Sequence, residues 1–101
     1  MSEVVELLQQ LIRTDTTNPP GNETAAAEVL RRYLEPAGVE CETYARVPER
    51  ANLVARIRGT GDGPSLLLLS HTDTVLADAS EWEADPWSGE LKDGEIWGRG
   101  A

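Results

Sequence analysis

An uninterrupted run of four leucines, residues 66–69, constrains the fold of this chain more than any other feature. The run lies in the stretch "SLLLLSHTDTV" and leads directly to the single histidine of the sequence, His71. Apolar residues without period-two alternation are typical of a strand that is covered on both faces. The sequence therefore predicts that residues 65–69 form a central, buried strand and that His71 lies just beyond its carboxyl end.

Two helices are predicted before this strand. Apolar residues recur at helical spacing from Glu3 to Arg13, which favours an amphipathic helix. The stretch "DTTNPPGNE" then interrupts the pattern, because its prolines and glycine disfavour a helix and indicate a fixed, extended loop. A second helix is predicted to begin at Asn22 or Glu23 and to end at residues 36–38, where a proline and a glycine occur.

The remaining segments have the patterns of strands and turns. Residues 39–44 and 53–58 alternate between the two faces, as half-exposed strands do. The stretch "GTGDGP" is suited to a hairpin link, and "ELKDGEIWGRG" predicts two short strands around an Asp93-Gly94 turn. This order of elements predicts an α/β or α+β layer structure.

Composition limits the classes of partner. The chain has 101 residues and a net charge of −9, so its surface repels nucleic acid and anionic membranes, and neither is expected as a partner. It contains no run of the roughly 18 apolar residues that a membrane span needs, and its first residues do not resemble a signal peptide. The single cysteine, Cys41, permits no internal disulfide, which favours a cytoplasmic location.

His71 and Asp73 are the candidate site residues. They are two residues apart, so on a continued strand both side chains project from the same face. One imidazole nitrogen could then bind a metal ion while the carboxylate of Asp73 orients the ring or its surroundings. The alternative is that His71 is a satisfied polar residue at the end of a strand. The pair alone does not decide between the two.

Several stretches of the chain, in order, resemble one enzyme superfamily. They are the opening "LLQQLIRTDTTNPPGNE", then "ANLVARIRG", then "LLLLSHTDTV", and finally "DPWSGELKDGEIWGRGA". This set is similar to the N-terminal part of the superfamily of aminoacylases, acetylornithine deacetylases, succinyl-diaminopimelate desuccinylases and carboxypeptidases, the zinc metallopeptidases of family twenty. The resemblance covers nearly the whole chain.

The resemblance implies a fold and roles for particular residues. The fold is the N-terminal part of a zinc-exopeptidase-like catalytic domain, with helices packed on a mixed central sheet. Residues 1–101 are expected to be an incomplete portion of that domain, without its lid or dimerisation domain. His71 is implied to bind one zinc ion of a co-catalytic pair, and Asp73 to be the catalytic carboxylate beside it that is not itself a ligand. Residues 98–100 are implied to shape the turn before the next ligand, an aspartate expected shortly after Ala101.

The resemblance also implies an activity. The complete enzyme is expected to be a hydrolase that cleaves the amide bonds of N-acyl amino acids or small peptides, with two zinc ions or with cobalt, and the full-length protein is expected to be a homodimer. The present chain alone is expected to be inactive, because it lacks the remaining metal ligands and the general base. Two alternatives stay open: a non-catalytic, truncated or partner-binding module of the same fold, and a single-metal site completed by a partner chain.

Overall fold

A computed structural model describes residues 2–101 as two helices followed by two small hairpins. The helices, strands and single-turn 3-10 segments (η), in chain order, are α1 (Glu3–Arg13), α2 (Glu23–Leu34), η1 (Glu35–Ala37), β1 (Glu40–Tyr44), β2 (Asn52–Arg56), η2 (Ala79–Glu81), β3 (Glu90–Lys92) and β4 (Glu95–Trp97). The α/β class predicted from the sequence is therefore present.

The two helices begin and end where local chemistry favours it. The side chain of Ser2 accepts a hydrogen bond from the backbone N–H of Val5 and so caps the start of α1. Beyond α2 and η1, Gly38 adopts a left-handed conformation with φ of 84°, a backbone state that glycine reaches without steric cost. The predicted bounds of α1 and the predicted start of α2 are confirmed, whereas α2 ends at Leu34 and only the 3-10 turn η1 continues it to Ala37.

The strands form two separate antiparallel sheets. Strands β1 and β2 pair with Glu40 opposite Arg56 and Tyr44 opposite Asn52. Strands β3 and β4 are joined by Asp93 and Gly94, which both have positive φ, as the tight turn of a two-residue hairpin requires. The hairpin predicted around Asp93-Gly94 is confirmed.

The buried core is small and lies around the two helices. Its apolar members, each less than one-tenth exposed, are Ile12, Ala26, Ala27, Ala51 and Pro86. Helix α2 packs on both strands of the first sheet and contacts α1. The radius of gyration is 15.5 Å, larger than the about 13 Å expected of a closely packed domain of this length. The chain is therefore extended, with much of its apolar surface left uncovered.

The prediction that residues 65–69 form a central buried strand is wrong for the described residues. The leucine side chains at 66–69 are 79–87% exposed, and no strand is formed there. An open cleft of about 900 Å³ lies between Leu53 and Val54 of β2 and the end of the leucine run. A strand exists only where a neighbour accepts and donates its backbone hydrogen bonds, and residues 66–69 form no such bonds with another segment of residues 2–101.

The expected mixed central sheet is therefore also absent from residues 2–101, which contain two separate two-stranded antiparallel sheets instead. Apolar composition predicts that a segment needs cover on both faces. It does not predict that the nearby chain supplies that cover.

Helix length also bears on membrane insertion. Within residues 2–101, neither helix has both the length and the apolar composition needed to cross a bilayer.

Candidate metal site

The segment that carries the histidine is held by the loop that follows α1. The backbone N–H of Thr74 donates to the carbonyl of Thr16 at 3.1 Å, and the N–H of Asn18 donates to the carbonyl of Thr74 at 2.9 Å. These two bonds form a parallel bridge between residues 16–18 and 72–74. The hydroxyl of Thr16, a residue only 3% exposed, adds a third bond to the carbonyl of Thr72 at 2.6 Å.

The loop on the other side of this parallel bridge is itself fixed. One carboxylate oxygen of Asp15 accepts hydrogen bonds from the backbone N–H and the hydroxyl of Thr17, at 2.9 and 2.6 Å. These bonds to Thr17 hold the pKa of Asp15 below its usual value. The carbonyl of Thr17 accepts from the N–H of Gly21 at 2.8 Å, which closes the loop into a turn. The peptide bonds from Asn18 to Pro19 and from Pro19 to Pro20 are both cis.

His71 and Asp73, the two residues predicted from the sequence, are in direct contact in the segment that this loop holds. The Nδ1 atom of His71 lies 3.0 Å from one carboxylate oxygen of Asp73 and 2.9 Å from the carbonyl of the same residue. Both partners are acceptors, so Nδ1 carries the proton and donates. The lone pair of the neutral ring is then on Nε2, and the ring itself is 84% exposed. This is the tautomer that a metal ion requires from a histidine bound through Nε2.

Asp73 is held from its other side by Asn18. The second carboxylate oxygen of Asp73 accepts a hydrogen bond from the side-chain amide of Asn18 at 3.1 Å. The bond from Asn18, and next the bond from His71, lower the pKa of Asp73, so the carboxylate stays ionised. Asn18 was not among the residues predicted for the site. In the sequence, Asn18 belongs to the "NPPG" stretch, which indicates a loop and contributes to the family resemblance but assigns no role to Asn18 itself.

An ion pair lies on the wall of the cleft beside the candidate site. Arg50 and Glu23 approach to 2.6 Å, and the side chain of Glu23 is only 12% exposed. The guanidinium of Arg50 lowers the pKa of Glu23, and the Glu23 carboxylate in turn raises that of Arg50. The cleft is lined by both of these residues and by His71 and Asp73. The pair ties the start of α2 to the loop that precedes β2.

The final residues of the chain contact Trp82 and Pro86 and also approach the segment that carries the histidine. The N–H of Arg99 donates to the carbonyl of Pro86 at 2.7 Å, and its guanidinium stacks 5.0 Å from the ring centre of Trp82. Gly100 has φ of 85°, and a Cβ atom there would come within 2.9 Å of Thr74. The turn implied to precede the next metal ligand therefore lies close to the parallel bridge.

The residues present fit one side of a metal site. The open Nε2 of His71 is a suitable ligand for zinc, and its orientation by a carboxylate is common among zinc-bound histidines. Among residues 2–101, however, no three histidine, cysteine, aspartate or glutamate side chains converge to hold a metal ion. Since zinc generally takes three or four protein ligands, the described residues supply only part of such a site.

Fold and site together define an α/β chain that presents one oriented histidine at the edge of a cleft, an arrangement suited to a metal ligand. Sequence similarity to known proteins defines this class more closely. The chain is 41% identical over 98 residues to a succinyl-diaminopimelate desuccinylase of Caulobacter vibrioides, covering 96% of the chain and 24% of that protein. Proteins of the same name from Parvibaculum lavamentivorans and Cereibacter sphaeroides are 35% and 38% identical over 102 and 100 residues.

These similarities confirm the resemblance seen in the motifs: over 96% of its length, the chain is similar to proteins named succinyl-diaminopimelate desuccinylase. The chain spans about a quarter of the length of the curated relatives that it matches. No family model matches it.

Proposed function

We propose that this chain is the N-terminal portion of the catalytic domain of a metal-dependent amide hydrolase that removes acyl groups from N-acylated amino acids. The observation that carries the proposal is the His71–Asp73 pair, with Nδ1 engaged and Nε2 open. The pair occurs in a chain whose relatives are named as desuccinylases. Their name favours a small substrate in which succinate is linked to an amino group through an amide bond.

His71 would bind one metal ion through Nε2, and Asp73 would keep the ring in the required tautomer and orientation. Zinc is the metal proposed, as a pair of ions, with cobalt as an alternative. When bound, such a pair polarises the amide carbonyl and acidifies a water molecule that serves as the nucleophile. The ionised carboxylate of Asp73 also places a negative charge close to the proposed cation, which favours its binding. The general base and the other ligands would come from outside residues 1–101.

The exposed leucines support the proposal that residues 1–101 form part of a larger catalytic domain. Burial of a leucine side chain contributes roughly 1.5–3 kcal/mol, and the run at residues 66–69 leaves four such side chains in solvent. Contiguous apolar surface of this kind is typical of a surface that contacts another protein element or partner. We propose that the covering elements belong to the rest of the catalytic domain, and that the complete protein is a cytoplasmic homodimer.

A non-catalytic module of the same ancestry is the second candidate. It is favoured by the lack of a converging set of metal ligands among the described residues. The downstream reading frame separates the two candidates: an aspartate codon shortly after Ala101, followed by further acidic ligands and a histidine, supports the hydrolase, and a stop codon supports the module.

The proposed function is tested with the full-length gene product, assayed with N-succinyl amino acids in the presence of zinc or cobalt. We expect His71→Ala to remove most of the activity and to lower the metal content per chain. Asp73→Asn should keep more metal but lose about 10- to 100-fold in turnover or metal affinity, because the charge that supports the ligand is gone. The matched control is Asp62→Asn, in the exposed turn before the leucine run, which should behave as the wild type. Full activity of His71→Ala in metal-depleted buffer would contradict the proposal.

A further inference from the structure

Asn18 connects the loop after α1 to the candidate site. Its backbone N–H belongs to the parallel bridge, through the 2.9 Å bond to the carbonyl of Thr74. Its side-chain amide reaches a carboxylate oxygen of Asp73 at 3.1 Å. The other carboxylate oxygen faces Nδ1 of His71 at 3.0 Å. Asn18, Asp73 and His71 therefore form a continuous line of hydrogen bonds.

We infer that Asn18 is a positioning residue for the proposed metal site: its amide fixes the rotamer of the Asp73 carboxylate, which in turn directs Nε2 of His71 toward the ligand. This inference rests on the proposed function for the identity of the ligand. The hydrogen-bond line itself is independent of that identity.

The geometry shows why Asp73 needs a second contact. Its side chain is about one-third exposed, at 32%, so packing alone does not hold its rotamer. A carboxylate that is free to rotate would leave the ring of His71 with only the carbonyl of Asp73 as an acceptor, at 2.9 Å. The amide of Asn18 removes this freedom. Because the backbone of Asn18 is already tied to Thr74, the amide donor is held on a fixed support.

Because the bond to Thr74 comes from the backbone, the role of the Asn18 side chain can be tested separately. Asn18→Ala removes the amide donor and keeps the backbone N–H that bonds to Thr74, so the parallel bridge remains. Asn22→Ala is the matched control, because Asn22 is an exposed asparagine of the same loop whose side chain caps nothing. Both variants are made in the full-length gene product, with and without Asp73→Asn.

The first readout is the 15N signal of the His71 ring in metal-free protein at about pH 9, where an ordinary imidazole is neutral. The signal is assigned by its loss in His71→Ala. We expect Asn18→Ala to shift the Nδ1 resonance in the direction produced by Asp73→Asn, and Asn22→Ala to leave it in place. The second readout is zinc affinity measured by competition with a chelator. We expect Asn18→Ala to weaken it about 3- to 10-fold, less than the loss caused by a change in Asp73 itself.

The double variant decides whether Asn18 acts through Asp73. In the Asp73→Asn background, Asn18→Ala should change neither the ring signal nor the zinc affinity further. An unchanged ring signal and zinc affinity in the single variant would overturn the inference, and so would additive losses in the double variant. Failure of the proposed function has a different signature: absence of hydrolysis and of zinc binding in the wild type, while the ring signal still responds to Asn18→Ala.

Discussion

The contact between Gly98 and α1 leads to a prediction whose magnitude follows from the structure. A Cβ atom built on Gly98 would overlap the Cγ2 atom of Ile12, and it would lie 3.1 Å from Cδ1 and 3.3 Å from Cγ1 of the same side chain. Ile12 is only 4% exposed, so it has no solvent space into which it can turn. We therefore expect Gly98→Ala to separate the final turn of the chain from α1.

Two opposing effects determine how much Gly98→Ala changes the free energy of unfolding. Overpacking a buried contact costs about 1–3 kcal/mol. Gly98 does not have a positive φ, so alanine is compatible with its backbone, and the loss of freedom in the unfolded chain would return about 0.4–1 kcal/mol. From the middle of each range, the difference is a net destabilisation of about 1.3 kcal/mol.

The assay is urea unfolding of the full-length gene product, with Gly59→Ala as the matched control because a Cβ atom at Gly59 meets nothing within 4 Å. The control should be neutral or slightly stabilising. Ile12→Ala alone should cost about 2–5 kcal/mol, but it opens space at Gly98. In that background Gly98→Ala should stabilise the protein, a coupling of roughly 1.5–3 kcal/mol between the two sites. Equal stability of Gly98→Ala and Gly59→Ala, or additive losses in the double variant, would refute the packing argument.

Two further predictions concern thermal stability at low pH and the zinc affinity of the isolated chain. Arg50 holds the pKa of Glu23 below its ordinary value of 4.5, so the ion pair stabilises the fold above that pH and its contribution is lost as the pH falls through the lower, folded-state pKa. The melting temperature of Glu23→Gln should therefore lie a few degrees below that of the wild type near neutral pH, and the gap should close in acid; a gap of constant size would exclude the ion pair as its cause. The isolated 101-residue chain should bind zinc only weakly in a calorimetric titration, because it offers one strong ligand where three or four are needed. Tight, stoichiometric binding that His71→Ala abolishes would reveal a site formed by this chain alone.

Local patterns were sufficient to predict the elements that local interactions stabilise. The helix over Glu3–Arg13 follows from its apolar spacing, and the turn at Asp93 and Gly94 follows from a residue pair that tolerates positive φ. The leucine run failed as a prediction for the opposite reason. Whether a strand forms at residues 66–69 depends on partners distant in sequence, and the leucines themselves carry no information about which partners are present.

The candidate site was partly predictable, because one of its contacts is local in sequence and the other is not. His71 and Asp73 are two residues apart, so their proximity follows from the local backbone. Asn18 reaches Asp73 across 55 positions of sequence, and that contact depends on how the loop after α1 packs. Only the three-dimensional arrangement could place its amide on the carboxylate.

The parallel bridge explains how His71 and Asp73 are positioned although the preceding leucines form no strand. If the orientation of His71 depended on a strand over residues 66–69, a run without partners would leave the ring without a fixed direction. Instead, three hydrogen bonds from Thr16, Asn18 and Thr74 hold the segment from its carboxyl side. Thr16 is almost fully buried, so its contacts are protected from competition with water. Burial of the leucines by another element therefore contributes to the stability of the fold. The loop after α1 sets the direction of the histidine.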